Sequence, residues 1–305
     1  MRTLFAAGAI GEFVKEVQSA LTNASFDTSG VDGWFGNSTT TATRAYQQAK
    51  ALQVTGEVDD ATWPALMQLP IPAASRRSLQ LTAAFEGHGF ELAVGNFDGA
   101  LLTWGIIGFT LTSGEIPQIV QAINISNPEL LDQAFGASKA ELLQLMVESR
   151  AQQTAWANAH TLPNGGLVQS WRSMFGIFGA FPQVQAEQLR HVNHDYLIPA
   201  IATANGLGFT SELGLALAFD IHVQNGGIKS AAMNQIRQQS SPGIAEADLR
   251  GIVANAVADF ANSAFMNDVR KRKLTVATGQ GQVHGHTFVL ENWGLSGAIT
   301  AAELN

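Results

Sequence analysis

The chain contains no cysteine, and this excludes disulfide bonds, cysteine nucleophiles and cysteine metal ligands. It also lacks any apolar run of the roughly 18–20 residues that span a bilayer, so we expect no integral membrane association. The N-terminal stretch MRTLFAAGAIGEF has no extended apolar core and no cleavage site of a secretory leader. We therefore expect synthesis in the cytoplasm without a Sec signal.

Positive charge is scarce as well. The 305 residues carry 17 Lys and Arg against 25 Asp and Glu, a formal net charge of −8. The densest basic cluster is VRKRK at 269–273, which we interpret as a solvated helix end. Nucleic-acid binding proteins need a larger basic surface, so we expect no nucleic-acid partner.

A proline-rich stretch divides the chain. LPIPAASRRS at 69–78 separates two regions of different pattern, and residues 71–78 are the predicted linker. The prediction is a small domain over residues 1–70 and a large one over residues 79–305.

The small domain reads as three short helices. Residues 12–21 place apolar side chains at helical spacing, VDGWFG at 31–36 is a tight turn, and a second helix runs over 37–52. A third helix follows within 55–69, with Asp59 or Asp60 as its cap.

This order of elements resembles the three-helix peptidoglycan-binding domain of bacterial cell-wall proteins. The resemblance rests on VKEVQSAL, VDGWFG, TTTATRAYQQAKAL and TGEVDDATW, and it covers about residues 12–68. It implies a binding groove near the VDGWF turn, with Asp32 and Trp34 as candidate contacts. Phe35, Tyr46 and Trp63 are predicted to pack the bundle.

The large domain is mainly helical. Helical periodicity covers 138–160, 186–208, 211–227 and 245–265, and Ser138 with Glu141 forms the pattern of a capping box. The segment GNFDGALLTWGIIGFTLT is instead rich in Gly, Thr and β-branched residues, which predicts a turn and a short hairpin. The predicted fold class is therefore mainly α.

Two isolated carboxylates are found here: Glu86 lies before that segment and Asp98 lies within it. Glycoside hydrolysis uses one protonated carboxyl group as acid and one ionised group as base or nucleophile. Apolar surroundings favour the protonated form, and Glu86 follows Leu81, Ala83 and Phe85. Asp98 stands in a Gly-flanked turn that water can reach. The two different surroundings fit a division into acid and base.

The stretch FEGHGFELAVGNFDGALLTWGIIGFTLTSGEI at 85–116 resembles the active-site region of the lysozyme-like chitosanases of glycoside hydrolase family 46. The resemblance implies a lysozyme-like fold with Glu86 as general acid, Asp98 as general base in an inverting reaction, and Thr103 holding the water. Trp104 and Glu115 are candidate substrate contacts. The chain departs from the family at Ala100, where the chitosanases have an arginine.

Further resemblance lies in LGLALAFDIHVQNGG at 213–227, where Asp220 lies mid-helix among apolar residues. We interpret Asp220 as a buried, hydrogen-bonded support for the catalytic region. His284 and His286, like His191 and His194, have spacings that suit a metal, but no third ligand accompanies either pair. We therefore expect no metal and no cofactor.

The leading hypothesis is a monomeric peptidoglycan hydrolase that cuts β-1,4 glycosidic bonds at the bacterial cell wall or in the periplasm. The N-terminal module would hold it on the polymer, a layout similar to modular phage endolysins. A chitosanase is the alternative, because the acidic net charge suits a cationic polymer. A non-catalytic wall-binding protein is the third hypothesis, and a zinc peptidase or amidase, which the scattered histidines do not favour, is the fourth.

Overall fold

The structure, a computed structural model, describes residues 1–87, 89–96 and 99–304. The chain divides into two compact units. The first unit combines residues 1–85 with residues 196–305, and the second comprises residues 86–195. The first unit is therefore assembled from both ends of the chain.

The N-terminal part of the first unit contains two short strands and three helices. These elements are β1 (Thr3–Phe5), α1 (Glu12–Asn23), α2 (Asn37–Ala49), β2 (Val58–Asp59) and α3 (Thr62–Met67), with β1 antiparallel to β2. The three predicted helices are confirmed. The N-cap position of α3 is Ala61 rather than the predicted Asp59 or Asp60. Asp59 instead stabilises the turn before α3, because its Oδ1 accepts hydrogen bonds from the amides of Ala61 and Thr62 at 3.0 and 2.7 Å.

The core of this bundle is aromatic. Trp63 packs against Phe5 and Phe13, with ring centroids 5.6 Å apart in both pairs. Phe35 and Tyr46 are buried beside other apolar side chains of the bundle. The predicted core role of Phe35, Tyr46 and Trp63 is confirmed.

Helix α4 (Ala74–Glu86) follows the bundle. It begins inside the stretch predicted as a linker, so the prediction of a linker over 71–78 is wrong from residue 74 onward. The reason lies in Arg77, which is buried and donates to the Pro72 carbonyl at 3.0 Å and to Glu212 at 2.5 Å. The sequence pattern around Arg77 is typical of a solvated linker, but this side chain lies in the protein interior.

The second unit contains a small sheet and a set of helices. The strands are β3 (Ala93–Val94), β4 (Thr103–Trp104) and β5 (Phe109–Thr110), and the helices are α5 (Glu115–Ser126), α6 (Pro128–Phe135), α7 (Lys139–Val147), α8 (Arg150–His160), α9 (Gln169–Ala180) and α10 (Pro182–His191). The sheet is antiparallel in the order β3-β4-β5. The predicted hairpin is confirmed and gains a third strand.

The predicted helix over 138–160 is two helices. Residues 136–138 form a 3-10 turn, α7 ends at Val147, and Glu148 adopts an extended conformation before α8 begins. Ser149 caps α8 in a reciprocal capping box with Gln152. Ser138 makes no side-chain cap hydrogen bond, so the predicted capping box was placed one helix too early.

A π-helix (Val192–Leu197) continues α10 and leads back into the first unit. The remaining elements are α11 (Ile198–Leu207), α12 (Glu212–Asn225), α13 (Ser230–Gln239), α14 (Glu246–Asp259), α15 (Met266–Thr278), β6 (Gln280–Val283) and β7 (His286–Val289). The helix predicted over 245–265 ends at Asp259. Of the helices described, none is long and apolar enough to cross a membrane.

Buried charge joins the two ends of the chain within the first unit. Glu212, at the start of α12, is buried and accepts from Arg2 and Arg77, each with an N–O distance of 2.5 Å. Farther along the bundle, the Trp293 indole donates to the Ile10 carbonyl at 3.3 Å and Gln80 accepts from the Glu12 amide at 2.9 Å. The N-terminal bundle is packed into the unit rather than held on a free tether.

Candidate active site

Glu86 is the last residue of α4. Gly87 follows with φ 65°, the left-handed conformation that commonly ends a helix and that glycine adopts at little cost. The Glu86 side chain is half-buried. The sequence therefore folds so that the predicted acid stands at a helix end immediately before a turn.

Thr103 lies in the middle strand of the small sheet. It pairs with Val94 on one side and Thr110 on the other, and its side chain is largely buried. The Gly-flanked loop that precedes β4 contains Asp98, which lies outside the described residues. The structure thus describes two of the three predicted catalytic residues, and their catalytic roles stay predictions.

Both ends of that loop are fixed within the second unit. The Asn96 side chain accepts from the Leu101 amide at 3.2 Å and donates to Asn158 at 3.0 Å, while its own amide donates to Thr161 Oγ1 at 2.8 Å. Leu101 is buried with φ 68°, a costly conformation for a bulky residue. Sequence reasoning missed Asn96, although an asparagine at the start of a Gly-rich turn is a known turn signal.

Trp104 is completely buried in the core of the second unit. Its ring stacks on Phe178 at 5.4 Å, and its indole nitrogen donates to the Phe175 carbonyl at 3.2 Å. The predicted substrate contact of Trp104 is therefore wrong. Both residues of β4 are buried, so the motif did not distinguish a core tryptophan from a substrate contact.

Glu115 begins α5 and organises the turn before it. Its Oε2 accepts from the Ser113 hydroxyl at 2.6 Å and from the Thr110 amide at 3.1 Å. A carboxylate in the first helical turn also interacts favourably with the helix dipole. This local role accounts for an acid at this position, and a contact with substrate stays a prediction.

Asp220 is completely buried on α12. Its carboxylate accepts from Arg272 Nη2 at 2.7 Å, from Lys273 Nζ at 2.5 Å and from the Thr82 hydroxyl at 3.1 Å. Burial alone would raise its pKa, but the two cations and their hydrogen bonds outweigh burial and hold the pKa well below the ordinary value. Asp220 therefore joins α4, α12 and α15, as a buried support.

The basic cluster at 269–273 differs from its prediction. Arg272 and Lys273 are buried rather than solvated, because both turn inward to Asp220. The signal in the sequence is an acid among apolar residues of a helix, which needs a buried partner of opposite charge.

Asp32 and Trp34 lie in the turn between α1 and α2. Asp32 Oδ1 accepts from Gln18 Nε2 at 2.8 Å and from the Trp34 amide at 2.9 Å, and the first of these bonds contributes most to lowering the pKa of Asp32. The Trp34 ring is 52% exposed although Phe35 beside it is buried. The turn thus presents one large aromatic face to solvent, and its contact with a glycan stays a prediction.

Of the histidines that the structure describes, His284 and His191 lie in different units. His284 contacts the Phe85 carbonyl and Asp268, and His191 Nδ1 contacts Asp195 at 3.0 Å in another unit of the structure. No group of three or more His, Asp or Glu side chains within residues 1–87, 89–96 and 99–304 is arranged to hold a metal ion.

Residues 10–66 match the family model described as “Putative peptidoglycan binding domain”. The match covers α1, α2 and α3, and with them the Asp32–Trp34 turn. A comparison with curated protein sequences gives no match.

Three similar solved structures are family 46 chitosanases. A complex of the Gynuella sunshinyii enzyme with chitotetraose is 16% identical with a TM-score of 0.52, covering 72% of this chain and 98% of that one. A mutant chitosanase from Bacillus subtilis MY002 complexed with six GlcN units is 17% identical with a TM-score of 0.53 and the same coverage. The native Bacillus subtilis MY002 enzyme, 17% identical, has a TM-score of 0.50 and covers 71% and 98%.

The chain thus combines an N-terminal region that matches a peptidoglycan-binding family with a fold similar to that of the family 46 chitosanases. Both parts agree with the layout expected from the sequence motifs, and the fold is mainly helical, as predicted.

Proposed function

We propose that this chain is a glycoside hydrolase that cuts β-1,4 bonds of the bacterial cell-wall glycan and is held on that polymer by its N-terminal module. The observation that carries the proposal is the pairing of a chitosanase-like fold with a peptidoglycan-binding match in one chain. Glu86 at the end of α4, followed by the Asp98 loop and Thr103 on β4, supplies the residue types that the reaction needs.

The proposed reaction is a single displacement. Glu86 gives its proton to the glycosidic oxygen, and the bond from that oxygen to the anomeric carbon breaks. Asp98 takes a proton from water as the water oxygen bonds to the anomeric carbon from the opposite face, which inverts its configuration. The Thr103 hydroxyl holds that water in line for attack.

Wall binding is assigned to the turn that carries Asp32 and Trp34. Sugar rings stack on exposed aromatic faces, and Trp34 is the exposed aromatic side chain of the matched region. The hydrogen bonds of Asp32 to Gln18 and to the Trp34 amide fix the turn in the presenting conformation. A weak binding site of this kind raises the local concentration of the enzyme on an insoluble polymer.

Chitosan is the second candidate substrate. The formal net charge of −8 favours a cationic polymer over the anionic cell wall, and the ligands of the similar structures are chitotetraose and GlcN units. The absence of an arginine at Ala100 argues in the other direction, since the chitosanase motif has one there.

The test is reducing-end release from purified peptidoglycan and from chitosan, side by side, for wild type, Glu86→Gln and Asp98→Asn. We expect wild type to act on peptidoglycan and each variant to lose at least about 100-fold of that rate. Glu91 is an exposed acid that lies between Glu86 and Asp98 in the sequence. Glu91→Gln is the matched control and should keep wild-type activity.

Activity on chitosan alone would identify chitosan, the second candidate, as the substrate. Full activity in both variants would remove Glu86 and Asp98 from the mechanism, and no activity on either polymer would leave a non-catalytic wall-binding protein. Trp34→Ala separates binding from chemistry, because it should lower sedimentation with peptidoglycan while leaving the cleavage of soluble oligosaccharides unchanged.

A further inference from the structure

The turn of the β6–β7 hairpin carries a histidine that reaches α4. His284 adopts φ 49°, in the left-handed region, and its ring lies between two acceptors. Nδ1 is 3.1 Å from the carbonyl oxygen of Phe85, and Nε2 is 3.1 Å from Oδ1 of Asp268 on α15. His286, two residues farther on in the same hairpin, is exposed.

The two contacts orient the ring. Carbonyl and carboxylate oxygens accept hydrogen bonds, and an imidazole nitrogen donates one when it carries a proton. The ring therefore lies where Nδ1 can donate to the Phe85 carbonyl and Nε2 can donate to Asp268.

The Phe85 carbonyl is a group that needs a donor. Phe85 is the penultimate residue of α4, and the last four carbonyls of a helix have no partner inside the helix. The His284 Nδ1 lies within donating distance of this carbonyl oxygen.

Two further side chains hold the same residue. The Phe85 ring packs edge-on against Phe288 of β7 at 4.7 Å, and the Arg272 guanidinium lies over it at 5.0 Å. The final turn of α4 is therefore held at its backbone by His284 and at its side chain by Phe288 and Arg272. The next residue along the chain is Glu86.

We propose that His284, oriented by Asp268, is a positioning residue that fixes the last turn of α4 and thereby the place of Glu86. This rests on the proposed function, in which Glu86 is the general acid. A small displacement of a proton donor is expensive in rate, because the donor must lie within hydrogen-bond distance of the leaving oxygen.

The experiment compares His284→Gly, His284→Asn and His286→Asn, with Glu86→Gln alongside. Glycine suits the positive φ and removes the ring without adding backbone strain. Asparagine also tolerates this conformation and places an N–H near the position of histidine Nδ1, so it retains the bond to Phe85. His286→Asn is the matched control on the opposite side of the turn. Steady-state kcat and KM are measured on the polymer that wild type cleaves.

We expect His284→Gly to lower kcat about tenfold with KM within about twofold of wild type. His284→Asn should recover most of that loss, and His286→Asn should match wild type. Wild-type kcat in His284→Gly, or an equal loss in His284→Asn, would overturn the positioning role. Full activity in Glu86→Gln would overturn the proposed function itself, so the two failures are distinguishable.

A second readout does not depend on turnover. In His284→Gly, the amides in the last turn of α4 should exchange with solvent faster than in wild type. Unchanged exchange would overturn the proposal.

Discussion

Gly179 allows the backbone at residues 90 and 91 to pack closely against α9, because glycine has no Cβ. A Cβ built at this position of α9 would lie 2.1 Å from the Phe90 carbonyl oxygen and 2.8 Å from the Glu91 Cα. Both atoms belong to the backbone that leads into β3, so they cannot rotate away. Gly176, one turn earlier on the same helix, meets its nearest atom only at 3.9 Å.

We predict opposite effects for alanine at these two glycines. Gly179→Ala should lower the free energy of unfolding by about 2 kcal/mol or more, because the backbone must shift. Gly176→Ala should be neutral or stabilising by up to about 1 kcal/mol, since alanine favours the helix. Urea denaturation of the two variants measures the difference, and equal values would mean that α9 does not approach residues 90 and 91 this closely.

Asp220 gives a prediction that depends on pH. Its pKa is lower in the folded protein than in the unfolded chain, so its contribution is complete above the unfolded value of about 4 and is lost as the pH falls below that. Asp220→Asn should cost about 3–5 kcal/mol at neutral pH, because Arg272 and Lys273 lose their buried counter-charge.

The difference in unfolding free energy between wild type and Asp220→Asn should therefore shrink as the pH drops below about 4. Chemical denaturation across the acid range measures it. Asp248→Asn, at an exposed acid in the first turn of α14, is the control and should cost less than about 1 kcal/mol throughout. A gap that stays constant into strong acid would contradict the ionised state of Asp220.

At the scale of single residues, the sequence predicted burial better than it predicted partners. Asp220 was expected to be buried because its neighbours on the helix are apolar, and it is. Its partners Arg272 and Lys273 were expected in solvent, since they are some fifty positions away and a basic run reads as exposed. The motif around Trp104 predicts a substrate contact, whereas the structure buries this side chain in the core of the second unit.

At the scale of elements, helix ends make the clearest test. Ser149 accepts a hydrogen bond from the Gln152 amide and completes a capping box, whereas Ser138 bonds to no amide of its helix. Ser149→Ala should lower the free energy of unfolding by about 1 kcal/mol, and Ser138→Ala should change it by a few tenths at most. Thermal unfolding of the two variants under identical conditions measures the difference. A larger loss of stability in Ser138→Ala than in Ser149→Ala would contradict the cap at Ser149.

Periodicity predicted where helices lie but not where they stop. The predicted helix over 138–160 is interrupted at Glu148 and Ser149, which are both extended. Many residues can adopt that conformation, so the sequence pattern does not mark the break. By contrast, Gly226 ends α12 close to the predicted boundary, since it supplies a left-handed conformation that few other residues favour.

At the scale of the whole molecule, the structure groups the residues differently from the predicted division into a small and a large domain. The bundle of residues 1–67 is packed with α4 and α12 through the buried Glu212, and together they belong to the first unit. Sequence patterns detect a module by its internal motifs. They do not detect Arg2 and Arg77 meeting one carboxylate far along the chain.

We predict that Glu212→Gln destabilises the protein by about 3–5 kcal/mol, because Arg77 is left buried beside a neutral amide. Glu291→Gln, at an exposed acid of the same unit, is the control and should have little effect. Scanning calorimetry measures both. A variant that unfolds like wild type would show that the bundle is held by its apolar contacts alone.

The discontinuous first unit has a consequence for how the chain is made. A ribosome releases residues 1–85 first, then the whole of the second unit, and only afterwards the segment from residue 196 onward that carries Glu212 and Trp293. The second unit can complete its contacts as soon as it emerges, whereas Arg77 and the Ile10 carbonyl must wait for partners not yet synthesised. The nascent N-terminal bundle therefore remains without these neighbours while the central unit is synthesised.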